Sequence, residues 1–336
     1  MRKLASIQKI SNIRDILGAD KIQAADVLGW HVVIKKGEFK DGDAVVYCEP
    51  DSILPKENPY FAFLEGKPIR TKKMRGVLSQ GICFPLHVLP VGRYEEGQDV
   101  TDVLGVTKYD PDANRGKNNK PLLEKPDYVP TTDFTRCQTL QDYLEKFKGT
   151  KCVATEKVDG SSISFWLDDK DVFHVCTHYK EVFNQNDRFY RTALKYKPHL
   201  EYMPRNIVCQ GEMIGKQIQK NKYNLEAGDY RVYLYDMLKY QNGISKFMNS
   251  DEFFMTARMF SLPTVPIAYG CFELPGAVDE LTELSKGKSK LCERTQREGI
   301  VIKALNDIYT DDIGVFVNGR FSLKVINPDF LLGWKE

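Results

Sequence analysis

Short runs of alternating apolar and polar residues fill the first third of the chain. They predict strands at 30–34, 44–48, 70–76 and 81–85. Glycines lie between or beside these runs, at the points where turns are needed. The one stretch that we interpret as a helix here is short, at 20–27. Many short strands separated by glycine turns predict a small β-barrel.

The rest of the chain mixes both periodicities. Strands are predicted at 151–156, 161–168, 171–177, 206–212, 230–237, 264–270, 299–304 and 320–326. Helices are predicted at 140–147, 186–195, 249–260 and 277–285. In the last of these, Val278, Leu281 and Leu284 recur at helical spacing, which is typical of a packed face. The fold class predicted for this part is α+β with antiparallel sheets.

A polar segment rich in turn formers separates the two parts. Residues 108–132 contain three prolines beside charged residues and lack apolar periodicity until Leu122. We therefore expect an N-terminal domain at 1–107, a linker at 108–132 and a second domain at 133–336.

Composition narrows the class of protein. Of 336 residues, 42% are hydrophobic and 28% charged, which is typical of an ordered globular protein. The formal net charge of +2 means that any nucleic-acid surface must be a local patch. The eight cysteines are scattered without a C-x-x-C pair, which disfavours a zinc site or a disulfide framework and favours a reducing, intracellular compartment. There is no apolar run of membrane-spanning length and no signal-peptide core, so no membrane partner is expected.

Candidate chemistry begins at the run Lys157-Val158-Asp159-Gly160, which lies between two predicted strands. A lysine amine can act as a nucleophile only when neutral, so its pKa of about 10.4 must be lowered. Burial, a nearby cation or a bound metal ion would each favour the neutral form. Asp159 could hold the turn through local backbone bonds, and Gly160 would permit close approach of the backbone. From this motif alone, Lys157 could equally be a solvent-exposed lysine in a turn, without a chemical role.

Further candidates follow in a fixed order downstream. They are Glu212 at a strand end, Tyr233 with Tyr235, Glu298 with Lys303, and Lys324. Glu212 could accept from a ribose hydroxyl, and Tyr233 is our preferred residue for stacking on a base, although either tyrosine could equally be core. Glu298 could hold a hydrated divalent ion. On a regular strand Glu298 and Lys303 would face opposite sides, so one of them is expected at the strand's end.

This ordered series resembles that of the covalent nucleotidyltransferases, the ATP-dependent ligases and capping enzymes. The segment 132–138 resembles the start of the adenylate domain of RNA ligases. An OB-like domain before the catalytic one, with the block Lys35-Lys36-Gly37-Glu38-Phe39, is similar to the ATP-dependent RNA ligases of the Naegleria type. The resemblance covers nearly the whole chain. It implies an N-terminal OB-type barrel followed by a nucleotidyltransferase (ATP-grasp-like ligase) domain.

The resemblance also implies the activity. Lys157 would carry AMP from ATP, pass it to an RNA 5′-phosphate, and a 3′-hydroxyl would then attack the activated end. Mg²⁺ or Mn²⁺ would be the metal, and nicks in duplexes with an RNA 3′-hydroxyl strand would be the substrate of a monomeric enzyme. The residues implied are these: catalytic, Lys157, Glu298, Lys303 and Lys324; nucleotide-binding, Glu156, Asp159, Gly160, His178, Glu212, Tyr233 and Gln138; metal-binding, Glu298 and Glu212.

Two positions depart from the family pattern. His178 stands where relatives usually have an arginine, and it carries full charge only below a pKa near 6.5. Lys180 could compensate. Relatives often have two lysines one residue apart in the last motif, whereas here only Lys324 is certain.

Alternatives remain at this level. A capping guanylyltransferase or a DNA ligase would share the lysine chemistry, and a non-catalytic RNA-binding protein would share the fold. The basic run Arg70, Lys72, Lys73 and Arg75 in the first domain is a candidate nucleic-acid surface, although a solvated charge run is the bland interpretation.

Overall fold

Two compact units make up the described part of the protein. The computed structural model describes residues 3–109, 123–131 and 133–333. The first unit contains residues 3–109, 137–142 and 331–333. The second unit contains residues 123–131, 133–136 and 143–330. The domain limits expected from the sequence stay a prediction.

The first unit is built on a curled antiparallel sheet. Its strands are β1 (Ala5–Asp15), β2 (Ile22–Val27), β3 (Trp30–Lys35), β4 (Ala44–Cys48), β5 (Ser52–Ile53), β6 (Lys72–Met74), β7 (Val77–Ser79), β8 (Ile82–Pro85) and β9 (Thr107–Lys108). Five of them pair in the order β3-β2-β1-β4-β8. The first half of β1 pairs with β4 and the second half with β2, and a bulge with Asn12 at a φ of 52° lies in the second half. A long strand that changes partner in this way bends the sheet.

Both faces of this sheet are covered by apolar clusters. One cluster includes Trp30, Val32 and Tyr47, and the other includes Ile7 and Phe61. The barrel-like arrangement of short strands predicted from the sequence is therefore present.

The helix predicted at 20–27 is wrong. This stretch forms strand β2, which pairs antiparallel with both β1 and β3. Ala24, Ala25 and Val27 are buried in the sheet. Alanine-rich composition favours a helix locally, but pairing on both sides and burial override that preference.

Two further five-stranded sheets form the second unit. The remaining strands are β10 (Thr135–Arg136), β11 (Lys151–Lys157), β12 (Ser161–Leu167), β13 (Phe173–Cys176), β14 (Ile207–Gly215), β15 (Tyr230–Gln241), β16 (Ile244–Phe247), β17 (Ile267–Glu273), β18 (Gly299–Ala304) and β19 (Ser322–Ile326). The helices are α1 (Gln141–Lys146), α2 (Arg188–Leu194), α3 (Lys197–Leu200), α4 (Ser250–Met259), α5 (Val278–Ser285) and α6 (Pro328–Leu332). The strand orders are β10-β19-β18-β11-β17 and β13-β12-β14-β15-β16. All pairs are antiparallel except β10 with β19, which confirms the predicted antiparallel α+β class.

Register decides which side chains share a face. In the first of these sheets Lys157 lies opposite Gly299, and Val301 lies opposite Lys324. In the second sheet Glu212 lies between Ser162 and Tyr233. The other face of the second sheet packs α2, α3 and α4 over an apolar cluster. Helices therefore cover one face, and the other carries Ser162 and Glu212 together with a second apolar cluster that includes Trp166 and Val208.

Part of the expected linker packs against the second unit. The Lys125 N–H donates to the Tyr179 carbonyl at 3.0 Å, and the Glu181 N–H donates to the Leu123 carbonyl at 3.0 Å. Residues 110–122 and 132 of the expected linker lie outside the described residues. None of the helices in the described ranges has the length and apolar character needed to cross a bilayer.

Candidate active site

Lys157 and Glu298 form an ion pair at the heart of the site. Lys157 ends β11, Glu298 immediately precedes β18, and the Lys157 Nζ lies 2.7 Å from Glu298 Oε2. Gly299 follows Glu298 and lies opposite Lys157. This position must be glycine, because a Cβ there would collide with the Val325 carbonyl oxygen. Glu298 thus lies at the end of β18, while Lys303 lies within it. This agrees with the expectation that one of these two residues would lie at the strand's end. Side chains 141 residues apart in sequence meet because β11 and β18 are antiparallel neighbours.

Two more carboxylates complete an acidic wall around the lysine. Asp159 lies in the turn that follows Lys157, and Glu212 lies on β14 in the other sheet of the second unit. A Cβ on Gly160 would lie 2.8 Å from Glu212 Cγ and would also collide with a β14 carbonyl. Gly160 is therefore needed for close approach of the turn to the strand. The approach of Gly160 to a phosphate, expected from the sequence, stays a prediction.

The wall sets the ionisation of its members. Burial, against the attraction of Lys157 and together with repulsion from Glu298 and Asp159, raises the pKa of Glu212 to about 8. Burial, followed by repulsion from Glu298, raises the pKa of Asp159 to about 6. Burial acts to lower the pKa of Lys157, but Glu298 and Glu212 outweigh it and leave that pKa above its usual value. Free of ligands, the pocket therefore holds the amine protonated. Burial alone does not supply the neutral form.

Lys303 lies on the same face of the sheet as Lys157 but has a different partner. Its Nζ donates to Asp236 Oδ2 at 2.7 Å and to the Tyr235 carbonyl at 2.6 Å. Arg320 donates to both oxygens of Asp236, at 3.0 and 3.1 Å. These groups, together with Thr155, border a cavity between the two sheets. A catalytic role for Lys303 stays a prediction, and in this state its charge is balanced by Asp236.

Lys324 and His178 converge on one carboxylate. Lys324 Nζ lies 4.0 Å from Asp133 Oδ1, and His178 Nε2 lies 3.8 Å from Asp133 Oδ2. Lys324 was expected to be catalytic and His178 to bind nucleotide, and the structure brings them together although they are far apart in sequence. Sequence reasoning missed Asp133.

The two tyrosines of β15 have different surroundings. Tyr233 is in register with Glu212, whereas Tyr235 follows a bulge and borders the cavity beside Lys303. The Tyr235 hydroxyl lies 3.3 Å from Ser162 Oγ. Which ring stacks on a base stays a prediction, but the cavity favours Tyr235 over the preferred Tyr233.

The Glu156 side chain faces away from that of Lys157. Its carboxylate accepts from the Ser289 hydroxyl and, at 2.8 Å, from the Lys290 N–H. Burial raises the pKa of this carboxyl. The side chain is thus occupied in holding the loop that leads to Glu298. This differs from the expected nucleotide contact, because adjacent residues of a strand point to opposite faces.

Gln138 is buried in a short 3₁₀ turn of the first unit. Its carbonyl accepts from the Gly29 N–H at 2.9 Å. The expected nucleotide contact of Gln138 stays a prediction.

The basic run of the first unit forms a hairpin. Lys72 and Lys73 are exposed on β6, and Arg75 has a positive φ of 49° in the turn to β7. Arg70 instead pairs with Asp51 at 3.1 Å. The hairpin's nucleic-acid role stays a prediction, carried by the lysines more than by Arg70.

The acidic wall suits a hydrated divalent cation. Among the described residues no group of three or more His, Cys, Asp or Glu side chains is arranged to bind a metal directly. Mg²⁺ typically keeps several waters and binds through only one or two carboxylates. Glu298, Glu212 and Asp159 offer oxygen ligands of this kind, so the donor set fits the expected metal.

Comparison with known proteins covers both units. An OB-fold domain model matches residues 4–86, which confirms the barrel predicted for the first unit, and an RNA ligase model matches residues 150–326. No curated protein matches the sequence. Naegleria gruberi RNA ligase with PPi is 32% identical, with a TM-score of 0.85 and 98% of each chain covered. Substituted forms of that ligase with AMP and Mn, and with ATP and Mn, give TM-scores of 0.86 and 0.84 at 32% and 31% identity, again with 98% of each chain covered.

Proposed function

The chain belongs to the RNA ligase family, and on that premise we propose that this ATP-dependent RNA ligase carries AMP on Lys157. The observation that supports this most is the placement of Lys157 beside Glu298 within a wall of three carboxylates. A lysine that only interacts with solvent would not be held in a partly buried, acidic pocket at a strand end.

The chemistry assigned to Lys157 has three steps. Nζ attacks the α-phosphorus of ATP, a P–N bond forms, and the bond to pyrophosphate breaks. A 5′-phosphate oxygen then attacks the same phosphorus and frees the lysine. Finally the 3′-hydroxyl attacks the activated 5′-phosphate, and AMP leaves.

The first step requires removal of a proton from Lys157. In the free protein Glu298 accepts a hydrogen bond from the ammonium group at 2.7 Å and so keeps that proton on Lys157. A divalent cation at Glu298, Glu212 and Asp159 would neutralise their charge, and with it the interaction that keeps the amine protonated. The three carboxylates therefore keep Lys157 protonated until metal and nucleotide bind.

Lys324 and His178 are assigned to phosphate. Both face Asp133, so the carboxylate holds them close together before a phosphate replaces it. Because His178 is fully charged only below its pKa, Lys324 is the stronger of the two cations at neutral pH.

The substrate that we assign is a nicked duplex with an RNA 3′-hydroxyl strand, sealed by a monomer. The exposed lysines of the β6–β7 hairpin supply cations for a phosphate backbone. An intracellular location is in keeping with the eight cysteines, all of which are free thiols.

The test uses labelled ATP, magnesium or manganese, and the purified protein. Wild type should acquire an acid-labile label, and Lys157→Ala should acquire none, because the amine assigned to receive AMP is removed. The Ala variant should still seal RNA that already carries a 5′-adenylate. Label from GTP instead of ATP would indicate a capping enzyme.

Lys170→Ala is the matched control, since Lys170 is exposed in a nearby turn. It should label like wild type. Undiminished labelling of Lys157→Ala would refute the assignment.

A further inference from the structure

One loop, which lies outside all of the sequence motifs, contacts the turn that follows Lys157. It is the segment 218–225, which follows β14 and which we call the clasp. Three consecutive residues, Gln219, Lys220 and Asn221, have φ values of 43°, 60° and 53°. Left-handed backbone at non-glycine residues costs free energy, so surrounding contacts must hold it. Asn221 provides some of them: it donates to the Leu225 carbonyl and accepts from the Leu225 N–H, both at 2.9 Å.

The clasp makes three contacts with the turn that follows Lys157. Lys222 Nζ lies 2.6 Å from Asp159 Oδ2. The Asp159 N–H donates to the Tyr223 hydroxyl at 2.7 Å. Gln219 Nε2 donates to the Gly160 carbonyl at 3.3 Å. Side chain and backbone of the turn are thus both held from one loop.

Stability alone is a poor explanation for the Lys222–Asp159 pair. The two side chains are only 16% and 11% exposed, and Lys222 Nζ lies 3.7 Å from the ring centroid of Phe330. Removing two charges from water costs about as much as their attraction returns, so such pairs seldom add net stability. The pair is better explained by where it places the carboxylate.

The placement matters because Asp159 has a second cation within reach. Lys157 attracts the Asp159 carboxylate, as Lys222 does, while Glu298 repels it. Without Lys222, the carboxylate would be drawn to Lys157 and would compete with Glu298 for the nucleophile. With Lys222 in place, Asp159 is held to the side and Lys157 keeps one partner.

We propose that Lys222 is a positioning residue for formation of the lysyl-AMP adduct, and that it acts by holding Asp159 away from Lys157 within the clasp. This inference rests on the proposed function. It predicts a defect in the rate of the chemical step and not in affinity for ATP, because Lys222 contacts the turn and has no assigned contact with the nucleotide.

The experiment measures single-turnover adduct formation over a range of ATP concentrations at saturating metal. Lys222→Met should lower the maximal rate about 10- to 100-fold, the usual cost of losing a residue that orients a metal-site carboxylate. The ATP concentration giving half the maximal rate should stay within about twofold of wild type. Lys222→Arg should restore most of the rate. Lys216→Met, which removes an exposed lysine shortly before the clasp, should match wild type.

Tyr223→Phe provides a second variant that keeps the ion pair and removes the acceptor of the Asp159 N–H. It should lower the maximal rate by a smaller factor than Lys222→Met, with the same ATP dependence. Melting temperatures of all variants are measured in parallel.

Three results would overturn the inference. Lys222→Met could react like wild type, could change only the ATP dependence, or could lose activity together with a lowered melting temperature that Lys222→Arg does not restore. If wild type itself forms no adduct, the proposed function fails as well, and the two failures are thereby distinguished.

Discussion

The buried ionic network around Asp236 should make the second unit sensitive to the loss of that one carboxylate. Asp236 is 1% exposed and receives hydrogen bonds from Lys303 at 2.7 Å and from Arg320 at 3.0 and 3.1 Å. Asp236→Asn keeps the size of the side chain but leaves two cations without their shared anion. Removing one partner of a buried pair typically costs about 3–5 kcal/mol, because a buried charge is left uncompensated.

Two features of the network limit the loss. Asp307 still accepts from Arg320 Nε at 2.9 Å. Lys303 can also lose its proton, since burial already lowers its pKa. We therefore expect Asp236→Asn to lower the free energy of unfolding by an amount near the lower end of that range, about 3 kcal/mol at pH 7. The loss should shrink as the pH rises towards 9, because a neutral Lys303 no longer needs Asp236.

The assay is urea and thermal unfolding of wild type and variant without ligands. A loss of about 3 kcal/mol corresponds to a fall in melting temperature of about 6–12 °C for a domain of this size. Asp229→Asn is the matched control: Asp229 pairs with Arg231 at the same 2.7 Å but on the surface. Surface pairs contribute about 0–1 kcal/mol. Equal losses in the two variants, or a loss at Asp236 that grows with pH, would refute the reasoning.

Three other predictions concern metal, nucleotide and RNA. Burial raises the pKa of Glu212 to about 8, so this carboxyl must lose a proton before it can help hold a cation. The metal concentration that gives half-maximal activity should therefore fall between pH 6 and 8, by at most about tenfold per pH unit. Glu212→Gln should flatten this pH dependence, and an unchanged slope in that variant would contradict the prediction. Tyr235→Ala should raise the KM for ATP about tenfold or more through lost stacking, and Tyr233→Ala should do so less; the reverse order in a titration of adduct formation would favour Tyr233. Replacing Lys72 and Lys73 together by Gln should weaken duplex binding and reduce its salt slope by about 2 while adduct formation from ATP is unchanged; an unaltered slope would leave the hairpin as a solvated charge run.

Sequence alone determined most of the secondary structure of the second unit. Its long strands and helices have strong periodicity, and α5, with Val278 and Leu281 buried, lies almost where the spacing placed it. The order of the motifs also identified Lys157 and Glu298 as candidates. These features could be predicted because a strand pattern and a turn motif each depend on residues that are close together in sequence.

The first unit shows the limit of such local reasoning. Strand β2 resembles a helix in composition and becomes a strand because β1 and β3 pair with it on both sides. The 11-residue strand β1 was not predicted at all. Its partners lie far along the chain, and no local pattern encodes that pairing.

Only the tertiary structure decided how the site's charges are balanced. The sequence could not show that Asp133 joins Lys324 to His178, that Asp236 engages Lys303, or that Lys222 holds Asp159. Nor could it give the protonation of Lys157, whose pKa burial lowers and whose carboxylate neighbours raise by more. Each of these depends on distances between residues remote in sequence, and Coulomb interactions in a buried pocket change steeply with distance. The order of the motifs pointed to Lys157 as the candidate nucleophile, and the packing of two sheets determined its charge.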